Sequence, residues 1–167
     1  MATVTQEFDP ASAILRTTAF APVVLANGTN ISVRGLAFDA STEEDAFFRF
    51  TATNYGSGNV NVTLYWYADT ASSGDVIWGA ALAAITPDAD SQDIETDALA
   101  TAATATDTHL GTTGQRLHQI AVAVSSLDSL AADDNVALRV YRDADAAGDT
   151  MTGDAILVAL TVSYSDT

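Results

Sequence analysis

The chain has 167 residues, of which 48% are hydrophobic, and 22 acidic residues against six arginines and no lysine give it a net charge of −16. This length fits one domain with a sizeable core, and the apolar content excludes a disordered chain. The absence of cysteine excludes disulfides and thiolate chemistry, and the acidity argues against nucleic acid and anionic membranes as partners.

Residues 1–16 are expected to form a short N-terminal arm ahead of one domain, residues 17–167. The arm begins MATVTQEFDP, without a basic region or an apolar core, so we expect no signal peptide. Next, FAPVVL ends in Asn27-Gly28, a dipeptide typical of tight hairpins, and NISVRGLAF resumes a strand pattern. The start of the domain therefore predicts a β-hairpin.

Alternation of apolar and polar residues predicts strands from Ala46 onward. In NVNVTLYWYAD, Trp66 shares the aliphatic face with Val62 and should be buried, whereas Tyr65 and Tyr67 point the opposite way. GDVIWGAALAAI is apolar on both faces, as expected of a strand covered on two sides.

The stretch from Thr86 to Leu117 is acidic and then low in complexity, and it predicts one or two Thr/Ala-rich strands with an exposed connection. The runs QIAVAV, VALRVYR and ILVALTVSY complete about eight strands separated by turn signals. The pattern predicts an all-β chain folded as an antiparallel sandwich or barrel.

Residues suited to catalysis are scarce. His109 and His118 are the only histidines, and neither has a nucleophile–base motif around it. His118 is in register with the apolar residues of its strand, which favours a structural role, and His109 lies in a polar segment with no fixed partner. We therefore expect no catalytic residues, no enzyme activity and no cofactor.

A calcium loop is a weak alternative in the acidic turn after VALRVYR. Asp143, Asp145, Gly148 and Asp154 fall at positions 1, 3, 6 and 12 of a twelve-residue calcium-binding loop. However, Ala147 stands at position 5, the last ligand is Asp instead of Glu, and the flanks are strands. Solvated turn carboxylates without a metal are the favoured interpretation.

The tyrosine face has two possible uses. Tyr65 and Tyr67 share it with Asn61 and Thr63, and rings beside polar groups suit a shallow carbohydrate site. The same face could instead meet another subunit, because tyrosine is enriched and lysine depleted at interfaces.

The C-terminal half resembles tailed-bacteriophage virion proteins. A Leu-Asp-x-Leu turn at 127–130 leads into a strand ending in Arg142-Asp143, followed by an acidic turn with Thr152-Gly153-Asp154-Ala155 and a last strand ending in Tyr164. The resemblance covers Phe47 to Tyr164. It implies an eight-stranded jelly-roll β-sandwich, usually trimeric, in the group of head-decoration, head-fibre and tail-fibre domains.

From this resemblance we predict a decoration or cement protein on the outside of a phage capsid, assembled in the host cytoplasm. Its partners would be two further copies in a homotrimer and the major capsid protein. The residues expected at these interfaces are Phe8, Arg49, Tyr65, Tyr67 and Arg139. The alternatives are a receptor- or glycan-binding fibre domain and a carbohydrate-binding module.

Overall fold

The computed structural model describes residues 2–70, 73–111 and 114–167. These residues contain ten strands and one turn of 3-10 helix at Pro10–Ser12, and no helix among them is long and apolar enough to cross a membrane. The strands are β1 (Thr3–Phe8), β2 (Val23–Asn27), β3 (Ser32–Phe38), β4 (Glu44–Thr51), β5 (Tyr55–Ala68), β6 (Gly74–Ile85), β7 (Ala103–His109), β8 (His118–Val124), β9 (Asn135–Arg142) and β10 (Ala155–Asp166).

The strands form two antiparallel sheets packed as a sandwich. Sheet A has the order β2-β3-β10-β5-β8, with β1 also paired to β10, and sheet B has the order β4-β9-β6-β7. Strands β3 to β10 by themselves follow the jelly-roll order, four in each sheet. The predicted all-β antiparallel sandwich is therefore confirmed, but the predicted count of eight strands was low, because β1 and β2 extend sheet A.

The segment predicted as an arm belongs to the sandwich. Thr3–Phe8 pairs with β10, and the ring of Phe8 packs edge-on against Phe48 and Phe50 at centroid distances of 5.8 and 6.2 Å. Phe8, expected at an interface with a partner, thus packs against its own core. The overlooked signal is the alternation in TVTQEF, whose even-numbered residues face inward.

The predicted hairpin forms with a longer connection than its dipeptide indicates. Residues 28–31 link β2 to β3, and the Gly28 N–H donates to the Ile31 carbonyl at 3.1 Å. Neither Asn27 nor Gly28 has the positive φ that a two-residue turn of this kind requires. Within the described part of the segment 86–117, one strand forms, β7 at the edge of sheet B.

The two tryptophans meet at the centre of the core. Trp66 and Trp78 are fully buried, with ring centroids 6.1 Å apart, which confirms the predicted burial of Trp66. The Trp66 indole N–H donates to an Asp107 carboxylate oxygen at 2.9 Å, and His118 stacks on the Trp66 ring at 4.6 Å. A buried tryptophan is stabilised in this way because its N–H has a partner.

Both histidines are structural in this arrangement. His118 begins β8, as predicted, but His109 is also buried, with its Nδ1 accepting from the Gly111 N–H at 3.0 Å. The two rings lie 5.0 Å apart between β7 and β8. Burial lowers the pKa of His118, Asp107 opposes that shift, and His109 and Arg116 add to it.

A buried arginine joins the two sheets where the chain passes from β9 to β10. The Arg142 guanidinium, which is fully buried, donates to both carboxylate oxygens of Asp149 at 2.7 and 3.0 Å. It also donates to the carbonyls of Met151 and Gly153 at 2.6 and 2.8 Å. The turn between β9 and β10 is therefore folded around this side chain.

We expect Arg142→Ala to lower the free energy of unfolding by about 3–5 kcal/mol, because the buried Asp149 carboxylate keeps the Ile77 N–H but loses its cation, and two carbonyls lose their donor. Urea denaturation measures this loss. The control is Arg34→Ala, which removes an exposed pair with Asp9 and should cost less than about 1 kcal/mol. Equal losses in the two variants would show that Arg142 does not anchor the turn.

Candidate functional site

The most promising site is a groove on the outer face of sheet A, between the β2–β3 hairpin and the end of β5. Its volume is about 550 Å³. Its polar groups come from Tyr67, Asp69, Gln115 and Asp154, and its walls from Val24, Val33 and Ile156 among others. Such a mixture of an apolar wall and a few converging polar groups is typical of ligand sites.

Three segments distant in sequence are joined at this groove. Period-2 alternation in β5 turns Tyr67 outward, and Asp69 follows just beyond the strand end. The Asp69 N–H donates to the Asp154 carbonyl at 3.1 Å, and the Gln115 side-chain amide donates to the Asp69 carbonyl at 2.8 Å. These two bonds join the segments that carry Asp69, Asp154 and Gln115 at the groove.

The groove is electronegative. Burial raises the pKa of the Asp154 carboxyl, and the charges of Asp69 and Asp39 raise it further, while the Ala40 N–H opposes the shift. Burial also raises the pKa of Tyr67, with a further contribution from Asp69. The site therefore offers acceptors for hydroxyl groups and repels anions.

The residues of the calcium alternative do not converge. No group of three or more His, Cys, Asp or Glu side chains suited to a metal exists among the residues that the structure describes. Asp154 lies in the groove, and the oxygens of Asp149, Met151 and Gly153 in the same turn accept from Arg142. The positive charge that these oxygens contact is therefore the Arg142 guanidinium.

The residues expected at an interface lie on opposite faces of the sandwich. Tyr65 and Tyr67 share the outer face of sheet A, but they line different hollows; that of Tyr65, about 520 Å³, includes Glu7 and Thr161. Phe8 packs against the core, so the residues predicted at interfaces with other copies and the capsid protein lie on more than one surface, and their contact with partners stays a prediction.

Arg49 and Arg139 lie on sheet B. Arg139 donates to Asp45 at 2.9 Å and to Glu43, and its guanidinium lies 4.2 Å from the Tyr141 ring centroid. Arg49 is exposed and donates to the Asn135 side chain at 2.8 Å. These arginines therefore cannot act with the tyrosines on one contact surface.

A third groove, of about 460 Å³ on sheet B, is less suited to a ligand. Its aromatic ring, Phe47, has the Arg16 guanidinium 5.0 Å above its centroid, so that face of the ring is already covered. Two of its polar groups, Arg49 and Asn135, are already bonded to each other.

Asp69 and Gln115 were not predicted from the sequence as site residues. Asp69 had a local signal, because it lies two residues beyond Tyr67 and continues the outward-facing series. Gln115 had none, since it reaches the groove from a loop that is close to β5 only in the folded chain. Asp154, which the sequence placed in a turn, likewise comes close to β5 only in the folded chain.

No protein-family model matches the chain, and no curated protein matches its sequence. Among solved structures, it is similar to the CBM36-1 domain of a multidomain xylanase from the hindgut metagenome of Trinervitermes trinervoides. The TM-score is 0.53 at 10% identity, covering 98% of this chain and 100% of that domain. A second similar structure is the family 11 carbohydrate-binding module of cellulosomal cellulase Lic26A-Cel5E of Clostridium thermocellum. The TM-score is 0.50 at 9% identity, covering 97% of this chain and 95% of that module.

The likeness establishes the fold alone. Both similar structures are jelly-roll sandwiches that belong to carbohydrate-binding modules, and neither is a virion protein. The resemblance to bacteriophage proteins is therefore supported only at the level of this fold group.

We expect Asp154→Asn to raise the melting temperature at pH 7, because it removes a carboxylate whose ionised form the fold disfavours. A raised pKa in the folded state means that the penalty is complete above that pKa and disappears on protonation. The gain should therefore shrink as the pH falls to about 4. Thermal denaturation across this range measures it.

The control is Asp9→Asn, which should act in the opposite direction. The Ala11 N–H and the Arg34 side chain lower the pKa of Asp9, so its ionised form is stabilised in the fold. A melting temperature of Asp154→Asn that does not exceed that of the unmodified protein at pH 7 would contradict the electrostatic description of the groove.

Proposed function

We propose that this domain is a non-catalytic module that binds neutral carbohydrate chains in the groove of sheet A. The observation that carries the proposal is the partly exposed ring of Tyr67 beside the carboxylates of Asp69 and Asp154 and the amide of Gln115. Similarity of the whole fold to two carbohydrate-binding modules supports it.

The groups in the groove match the two surfaces of a sugar ring. The C–H face of a sugar is apolar and packs against an aromatic ring, and the hydroxyls at its edge need hydrogen-bond partners. Tyr67 supplies the ring, and the carboxylates of Asp69 and Asp154 accept hydrogen bonds from hydroxyls. The apolar wall of the hairpin excludes water from one side of these contacts.

The charge of the groove selects among carbohydrates. Burial raises the pKa of Asp154, and the charges of Asp69 and Asp39 raise it further. Uronic acid or sulfated polysaccharides would bring further negative charge to this site and to a chain of net charge −16. Neutral chains carry no such penalty, so they are the proposed ligand class.

We expect Tyr67→Ala to weaken binding of a neutral polysaccharide at least about tenfold, equal to about 1.4 kcal/mol, because the stacking surface is lost. Affinity electrophoresis and calorimetry with soluble xylan and mixed-linkage β-glucan measure the affinity, with alginate as the anionic comparison. The structure gives a matched control in Tyr65→Ala, which removes an equal ring from the same face of the same strand.

Tyr65→Ala should leave the affinity within about twofold of the unmodified protein, since Tyr65 lines a different hollow. Equal losses in both variants would place the ligand across the open sheet face instead of in the groove. The absence of binding to every neutral polysaccharide tested, or stronger binding to alginate, would refute the proposal.

The role of a capsid decoration protein stays a prediction from sequence resemblance. It would use the same fold, with a homotrimer and the major capsid protein as partners at the virion surface. The number of copies per particle distinguishes it from a fibre domain: hundreds of copies indicate decoration, whereas a few tens or fewer indicate a fibre.

A further inference from the structure

Strand β2 carries an uncharged apolar surface in a very acidic chain, although Arg34 of β3, which is paired with Asp9, lies directly opposite Leu25. Residues 17–33 contain no charged side chain, although the whole chain has 22 acidic residues. Within this stretch the side chains of Val23, Leu25 and Ile31 are 51%, 64% and 73% exposed. An exposed apolar surface of this kind marks an interaction site.

The same strand ends sheet A with an open strand edge. Among the described residues, β2 pairs only with β3. The Pro22 carbonyl accepts from the Ala37 N–H at 2.9 Å, and the Gly28 N–H donates to the Ile31 carbonyl at 3.1 Å. Because backbone bonds alternate along an antiparallel pair, Val23, Leu25 and Asn27 direct their N–H and C=O groups away from β3.

The side chains of Val23 and Leu25 continue the core-facing side of sheet A beyond the area that sheet B covers. Val23 pairs with Leu36, which is fully buried, so Val23 and Leu25 lie on the core side of sheet A. They are nevertheless more than half exposed, since sheet B does not cover them. An apolar strand edge without a charge or a covering segment is suited to pairing with another strand.

The edges at β4 and β1 are covered or charged, whereas the edge strand β8 carries no charged side chain. Ile14 and Phe20 form bridges along β4, and the rings of His109 and His118 pack between β7 and β8. β1 has a free side, but it carries Glu7. Two copies paired through β1 would bring like charges together, which the uncharged β2 avoids.

We propose that β2 pairs antiparallel with β2 of a second copy, around a two-fold axis at Leu25. In this register Leu25 faces Leu25 of the second copy, and Val23 faces the second copy's Asn27. All the outward N–H and C=O groups of these residues then form hydrogen bonds between the copies. The result is a closed dimer with one continuous sheet.

The distribution of charge supports a second copy as the occupant. Two chains of net charge −16 repel each other, so a contact between them must use a surface that the acids avoid. β2 is such a surface, and in the proposed register the two Leu25 side chains face each other while each Val23 faces Asn27 of the second copy. Because the remaining repulsion is screened by salt, the dimer should tighten between about 0.1 and 1 M NaCl.

Sedimentation velocity at tens of micromolar protein tests the association. The unmodified chain is expected to sediment as a dimer, and Leu25→Lys should raise the dissociation constant at least about 100-fold, because two lysines would face each other across the axis. Ile94→Lys is the control: it adds the same charge at an equally exposed isoleucine far from β2, and should leave the dimer intact.

Cross-linking tests the register, because the chain has no natural cysteine. Directly opposed residues with mutual hydrogen bonds lie about 5.5 Å apart between Cα atoms, a distance that a disulfide spans. Leu25→Cys should therefore give a covalent dimer under mild oxidation. Val24→Cys should not, since two-fold-related residues at that position lie roughly 8 Å apart or more.

Each other outcome overturns the proposal. A monomer at high salt, or a dimer or trimer unaffected by Leu25→Lys, would show that β2 is not the contact. If Leu25→Lys dissociates the dimer but Val24→Cys forms the cross-link and Leu25→Cys does not, the proposed register is wrong. If the β2 edge is occupied only when a peptide from another protein is supplied, the proposal that its partner is a second copy is wrong.

Discussion

The buried ion pair of Arg142 and Asp149 is the contact on which the geometry of this domain depends. It lies where the chain leaves sheet B and enters sheet A, and it binds the carbonyls of the connecting turn as well as the carboxylate. Strand β10 begins two residues after the last of these carbonyls and then pairs with β1, β3 and β5. The Arg142 contact with the Gly153 carbonyl thus holds the turn next to Asp154, which lies in the groove.

Much of the fold could be predicted because period-2 alternation is a local property. It placed Trp66 in the core and Tyr65 and Tyr67 on the outer face, and the structure agrees on all three. Strand β1 was missed because its inward-facing residues include Gln6, which interrupts the apolar series. The polar appearance of β7 hid the burial of His109, which depends on Trp66 and β8.

The site was harder to predict than the fold, because its residues converge only in three dimensions. Tyr67 was recognised from its strand, whereas Gln115 and Asp154 reach the groove from loops more than 40 residues away. The spacing of acidic residues in the turn after β9 gave calcium only as a weak alternative, and Arg142, the residue just before that turn, supplies a positive charge to its acceptors. The spacing of acidic residues alone does not reveal that a neighbouring guanidinium already provides the positive charge.

Strand β2 belongs to two surfaces at once, and this links their thermodynamics. Its Val24 and Ala26 side chains form a wall of the groove, while its odd-numbered backbone groups form the free edge. Any ligand that favours the ordered hairpin must strengthen pairing at the edge by the same factor by which pairing strengthens the ligand. A dimer built on this strand would also present two grooves on one sheet, so that a long polymer with repeated units gains avidity from a single particle.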